Sequence, residues 1–224
     1  MSKHPRPVFS EHDAEPVPGL PGALPTGETI LWQGSPRWTG VALRAMHLRA
    51  LAVYFAILAA WRAAALTSDG ASAMEAASGA SLLVALGAVV IGLLAGYAWL
   101  SARSTLYTIT SRRIVVRTGV ALPLTVNLPY AVVGSADAAC YPDGTGDISL
   151  KVMAPHRVSW VALWPHTRSW RLTRPEPSLR AVAQPQAVAQ VLGRALAAAA
   201  STPVRAMAPA SAKRPADQAA QAMA

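Results

Sequence analysis

Two histidines, His156 and His166, flank the apolar run Val158 to Trp164, with Asp143 and Asp147 upstream. Convergence of such residues could hold a metal or move a proton. No HxH, HxxxH or HExxH spacing brings them together, so metal ligation is not expected. Cys140 is the single cysteine, which excludes an intrachain disulfide and a cysteine-based metal site. A nucleophile elbow, a phosphate-cradling glycine loop and a paired-carboxylate arrangement are likewise missing. The residues therefore read as non-enzymatic, and no cofactor is expected. His47 is the one residue placed for pigment ligation, because a neutral imidazole ligates chlorin magnesium or haem iron. Its position between Met46 and Leu48, beside Arg49, also suits an ordinary interfacial histidine.

The densest chemical signal is basic and aromatic. Arg157, Arg168, Arg171, Arg174 and Arg180 interleave with Trp160, Trp164 and Trp170. Guanidinium groups beside indole rings suit anionic lipid headgroups or an acidic protein surface. They also suit a plain solvated face. The net charge of +9 would permit nucleic acid, but a membrane tether argues against that partner.

The tether lies between Met46 and Leu100. Gly79 to Leu100 runs 22 residues without a charge, and about 20 apolar residues span a bilayer. Leu48 to Leu66 is interrupted only by Arg49 and Arg62. Together they predict a transmembrane hairpin. Neither run is N-terminal, so a cleavable signal peptide is not expected. Arg37, Arg44 and Arg49 precede the hairpin and Arg103, Arg112, Arg113 and Arg117 follow it, whereas the loop Thr67 to Ser78 holds only Asp69 and Glu75. The positive-inside rule then puts both termini in the cytoplasm. Arg62 is close enough to the loop to snorkel to outer headgroups, or else pairs with a partner. Ala88, Gly92 and Gly96, four apart, leave one face of the second helix without bulk. Such a face packs the hairpin on itself or on another membrane helix, a second copy of the chain included.

Around the hairpin the pattern changes. Residues 1–27 hold six prolines and little periodicity, and read as disordered. Residues 28–45 form a pre-membrane segment with a short strand from Glu28 to Gly34, and Trp32 is expected to pack in the soluble domain. After the hairpin (46–100), residues 101–200 read as a cytoplasmic antiparallel barrel or sandwich. Its strands are Thr105–Thr110, Arg112–Arg117, Leu124–Leu128, Val132–Ala139, Asp147–Met153 and Arg157–Trp164. Pro165 to Pro177 is irregular, and Ala187 to Ala200 carries helical spacing. Residues 201–224 read as a disordered tail. The fold class is thus α+β: a two-helix hairpin plus a small β domain with a C-terminal helix.

Tyr107-Thr108-Ile109-Thr110-Ser111-Arg112-Arg113-Ile114-Val115-Val116-Arg117-Thr118-Gly119 resembles the signature of the bacterial pleckstrin-homology-like (PH-like) domain. A wider set of strings resembles the PuhB family, which assembles the photosynthetic reaction centre and core antenna of purple bacteria. It comprises Glu15 to Pro21, Leu31 to Pro36, Gly119 to Pro123, Asp143 to Ile148, Leu163 to His166 and Trp170 to Pro177. The resemblance implies an inner-membrane assembly factor whose partners are reaction-centre and antenna polypeptides. It transfers no site residues. Two other readings remain beside it: a general module binding anionic lipid, and an accessory that delivers bacteriochlorophyll.

Overall fold

The computed structural model describes residues 19–201, apart from 21, 157, 169, 170 and 172. Residues 1–18 and 202–224, read from sequence as parts of disordered termini, lie outside the described residues.

Strand β1 (Ile30–Gly34) comes first and is followed by a helical turn, α1 (Trp38–Gly40), that runs into a π-helical turn at Val41–Ala45. Two long helices come next, α2 (Leu48–Ser68) and α3 (Ala73–Ser104), both long and apolar enough to cross a membrane. The reversal between them has local causes. Gly70 takes φ 84°, the left-handed conformation that ends helices cheaply. Ser72 then caps α3 through a reciprocal capping box with Glu75.

Past α3, β2 (Leu106–Thr110), β3 (Arg113–Thr118) and β4 (Leu124–Pro129) form an antiparallel sheet with β1, in the order β1-β2-β3-β4. The β2–β3 turn is tight because Thr110 Oγ1 accepts hydrogen bonds from the amides of Arg112 and Arg113, at 3.2 and 3.0 Å. A second sheet contains β5 (Val133–Cys140), β6 (Thr145–Val152) and β7 (Ser178–Ala183) in that order. The short helix α4 (Trp160–Leu163) lies between β6 and β7, and α5 (Pro185–Ser201) ends the described chain.

One core joins both sheets to α5. Tyr107, Ile109, Ile114 and Leu128 of the first sheet meet Ile148, Leu150, Leu179 and Val182 of the second, with Val188 and Leu192 of α5 closing them over. Trp32 packs on the rim of this core. The sheets remain two separate layers, so the closed-barrel form expected as one alternative does not occur.

Two segments differ from the sequence reading. Arg157–Trp164 was expected as a strand, but Trp160–Leu163 is one helical turn with the Trp164 amide donating to the Trp160 carbonyl at 2.9 Å. A strand would aim Trp160 and Trp164 at one side. The helical turn instead buries Leu163 in the core and swings Trp164 onto α3. The stretch Ser178–Ala183 carried no strand expectation and is β7. It holds Arg180 and Ala181, poor strand residues by propensity, and pairs with β6 through a register shift.

Candidate functional site at the junction of hairpin and sheets

The last turns of α3 pack into the β domain. Ala98, Ser101 and Ala102 are buried there. Val41, Ala42, Met46 and Leu48 pack with Ala98 and with Ala181 of β7, so the start of α2, the end of α3 and the second sheet share one apolar cluster. Trp164 stacks on Tyr97 with ring centroids 5.4 Å apart.

Within this junction sits a fully buried polar chain centred on His166, which has 0% exposure. The Tyr107 hydroxyl lies 2.6 Å from His166 Nδ1, and it accepts a hydrogen bond from the Arg180 amide at 3.1 Å. Nε2 lies 3.0 Å from Thr105 Oγ1 and 3.2 Å from Ser101 Oγ. Thr105 Oγ1 in turn donates to the Ser101 carbonyl at 2.7 Å and lies 3.0 Å from Thr118 Oγ1. The Nε2–H tautomer fits all of these contacts, with Nδ1 accepting from the Tyr107 hydroxyl and Nε2–H donating to Thr105 Oγ1, whose own proton goes to the Ser101 carbonyl. Burial, aided by the Arg180 charge, lowers the His166 pKa to about 3. Burial likewise pushes the Tyr107 phenol up. Both groups are neutral across physiological pH, as a buried relay requires.

A charged chain runs beside it. Arg180 Nη1 donates to Asp147 Oδ2 at 2.8 Å, and its Nη2 donates to the Thr167 carbonyl. Asp147 also accepts from the Ala181 amide at 2.8 Å and from Tyr141 Oη at 3.2 Å. The Arg44 guanidinium lies 4.1 Å over the Tyr141 ring and pairs with Asp143 at 2.9 Å. Hydrogen bonds from Thr145, then the one from Arg44, hold the Asp143 carboxyl well below the usual carboxylate range. Arg44 thus ties the pre-membrane turn to the β5–β6 hairpin, whose tight turn needs Gly144 at φ 73°.

The sequence-nominated residues are scattered. Ala88, Gly92 and Gly96 are exposed on α3, and a Cβ at Gly92 or Gly96 would meet nothing within 4 Å. The hairpin closes instead through Gly87, where a Cβ would come within 2.7 Å of Phe55, and through Gly79 against Leu66. Arg62 lies beside Gly79 at the loop end. Exposed His47 starts α2 at φ 56°, and its Nδ1–H donates to the Ala45 carbonyl at 3.2 Å. Trp160 and Trp164 are half-buried, Arg174 is exposed, and Arg157 and Trp170 lie outside the described residues. Arg168 pairs with Glu176 at 3.1 Å and Asp137 at 3.6 Å; Arg171 approaches Glu176 at 3.8 Å. His156 is exposed and takes no part in the His166 chain. Among the described residues no group of three His, Cys, Asp or Glu side chains is placed to hold a metal ion.

Sequence reasoning missed Ser101, Thr105 and Tyr107 as partners of His166, and Arg180 as the partner of Tyr107 and Asp147. The one local signal was a histidine beside Pro165 in an otherwise apolar stretch.

Residues 42–196 match the family described as Bacterial PH domain. The chain belongs to that family. It is also similar to a Rhodobacter capsulatus protein named as an uncharacterized 23.7 kDa protein in the puhA 5′ region. The two are 36% identical over 198 residues, 87% of this chain and 92% of the other. That whole-chain similarity accords with the PuhB-like resemblance. No solved structure matches the chain. The family match begins inside the pre-membrane turn and ends in α5, so this PH-domain chain carries its helical hairpin within the matched region rather than appended to it.

Proposed function

We propose that this chain is a non-catalytic assembly factor of the bacterial inner membrane. It would scaffold membrane subunits of the photosynthetic reaction centre and core antenna. The observation that carries the reading is the open Ala88/Gly92/Gly96 face of α3, which the hairpin leaves unused. Small faces let a second helix approach closely and gain dispersion contacts that lipid would otherwise supply. The relative named for the puhA 5′ region supplies the class of client. The basic flanks of the hairpin and its acidic loop support a two-span topology with both termini in the cytoplasm. In this reading the junction holds the β domain at a set angle over α2 and α3, so that a client helix on α3 and its cytoplasmic terminus are received together.

The experiment is to replace Gly92 and Gly96 with Leu in photosynthetic cells and measure the complex by its near-infrared absorbance. The protein should still insert, while the yield of assembled complex falls. Unchanged yield would sink the reading. A lipid-reading role is favoured by one feature, the placement of α4 against α3. Val161 there is 80% exposed while its neighbour Trp164 stacks on Tyr97, inside the charge-free run. Vesicle composition, rather than helix packing, would govern activity in that case.

A further inference from the structure

The β3–β4 loop, residues 119–123, presents an apolar tip that none of the described residues covers. Leu122 is 82% exposed, and Val120 and Leu124 beside it are also exposed. Isolated exposed apolar side chains are ordinary, but here Val120, Ala121, Leu122 and Pro123 follow one another on a single turn. The turn is held by its own backbone. Gly119 takes φ 120°, and a Cβ there would run into the Leu122 carbonyl, so only glycine permits the fold-back that presents Val120 and Leu122.

Position gives this tip its meaning. Thr118, the last residue of β3, lies 3.0 Å by its hydroxyl from Thr105, the residue on which α3 ends. Leu106 pairs with Arg117, and Thr118 pairs with Leu124. Strand β2 carries the chain away from α3, so antiparallel β3 returns toward it, and the loop continues past Thr118 in that direction. One turn back along α3, the Arg103 guanidinium lies 5.5 Å from the exposed Trp99 ring. Arginine and tryptophan paired at a helix end are the side chains that favour headgroup depth.

We infer that the β3–β4 loop is a third membrane contact: Val120 and Leu122 enter the headgroup–acyl boundary of the bilayer that α2 and α3 cross. The occupant of this apolar surface is thus the lipid of the chain's own membrane. Continuity with the spans selects it, and Arg103 and Arg117 place positive charge where lipid phosphates lie. The contact would fix the β domain's height and tilt from the lipid side, while the His166 chain fixes it from within. This inference rests on α2 and α3 being spans.

The test uses the full chain in lipid nanodiscs containing anionic lipid, with Cys140→Ser as background. Single cysteines are introduced as Leu122→Cys, Val89→Cys in the middle of α3, and Arg112→Cys at the opposite end of the β2–β3 ladder. Each is labelled with an environment-sensitive fluorophore, and spin-labelled lipids serve as quenchers. Leu122→Cys should emit blue-shifted light and be quenched several-fold more than Arg112→Cys, most strongly by a shallow label. Val89→Cys should be quenched by a deep label. A Leu122→Cys signal equal to that of Arg112→Cys, with Val89→Cys still quenched, overturns the loop contact alone. Loss of quenching at Val89→Cys overturns the spans and the loop contact together. Leu122 is exposed, so the substitution leaves the core intact.

Discussion

His166 Nε2 lies 3.0 Å from Thr105 Oγ1, across 61 residues of chain and across the boundary between hairpin and sheets. Thr105 ends α3, and His166 sits between α4 and β7. Both side chains are buried, and the bond between them forms only when the helix end and the β domain are docked. A hairpin merely tethered by a linker would need no such pair. The domain is therefore locked to its helical hairpin by directional bonds, which set orientation as apolar packing alone does not.

Replacing His166 with Phe keeps a planar ring but leaves the Tyr107 O–H without its acceptor and takes one of three partners from Thr105 Oγ1. An orphaned buried donor costs about 1–3 kcal/mol. His166→Phe should therefore lower thermal stability of the full chain in detergent by several degrees. His166→Gln keeps one donor and one acceptor and should recover part of the loss. Equal melting temperatures for the Phe variant and the native chain would show that the relay contributes nothing.

The same histidine sets an acid limit. Its folded-state pKa is about 3, against an ordinary value of 6.5. Between these values the unfolded chain binds a proton that the folded chain does not, so stability rises with pH in that window. Above the upper value the contribution is constant. Unfolding followed from pH 7 to pH 4 should show stability falling, and His166→Gln should flatten that slope. A variant with the native slope would assign the acid sensitivity to other groups.

Much of the first sheet could be read from residues alone. Tyr107 to Thr110 and Arg113 to Thr118 are dense in β-branched residues around a Ser-Arg turn. Strand β7 could not, because Arg180 looks wrong for a buried strand until Asp147 is placed beside it. The helical turn α4 was hidden for a different reason: Trp160, Ala162 and Trp164 satisfy a period of two as well as one helical turn. His156 and His166 look alike in sequence, and only the α3 and β2 partners separate the exposed one from the buried one. The small-residue face illustrates the same limit. Ala88, Gly92 and Gly96 form a visible stripe, yet the hairpin closes on Gly87, one residue away and on another face. Spacing marks a helix as able to pack closely; it does not say which neighbour arrives.

The Arg180–Asp147 pair is buried on both sides, at 9% and 7% side-chain exposure. Removing one member leaves the other charge in a site that water does not reach, and such losses run to about 3–5 kcal/mol. Asp147→Ala should be the more damaging single change, since it also strips the Ala181 amide and the Tyr141 hydroxyl of their acceptor. Arg180→Met with Asp147→Asn should be milder than the sum of the singles. A double-mutant cycle by chemical denaturation reads the coupling; strict additivity would mean that the pair is not energetically linked.

Two glycines of α3 separate hairpin integrity from partner binding. A side chain at Gly87 would collide with Phe55, so Gly87→Leu should strain the α2–α3 contact by about 1–3 kcal/mol. Phe55→Ala opens space on the facing helix and should relieve much of that strain. A side chain at Gly92 meets nothing, so Gly92→Leu should leave the hairpin undisturbed. Cysteine pairs placed across α2 and α3 report the difference. Crosslinking should drop for Gly87→Leu, return when Phe55→Ala is added, and hold at the native level for Gly92→Leu. If Gly92→Leu also disrupts the crosslink, that face packs within the hairpin after all, and its availability to a client helix is lost.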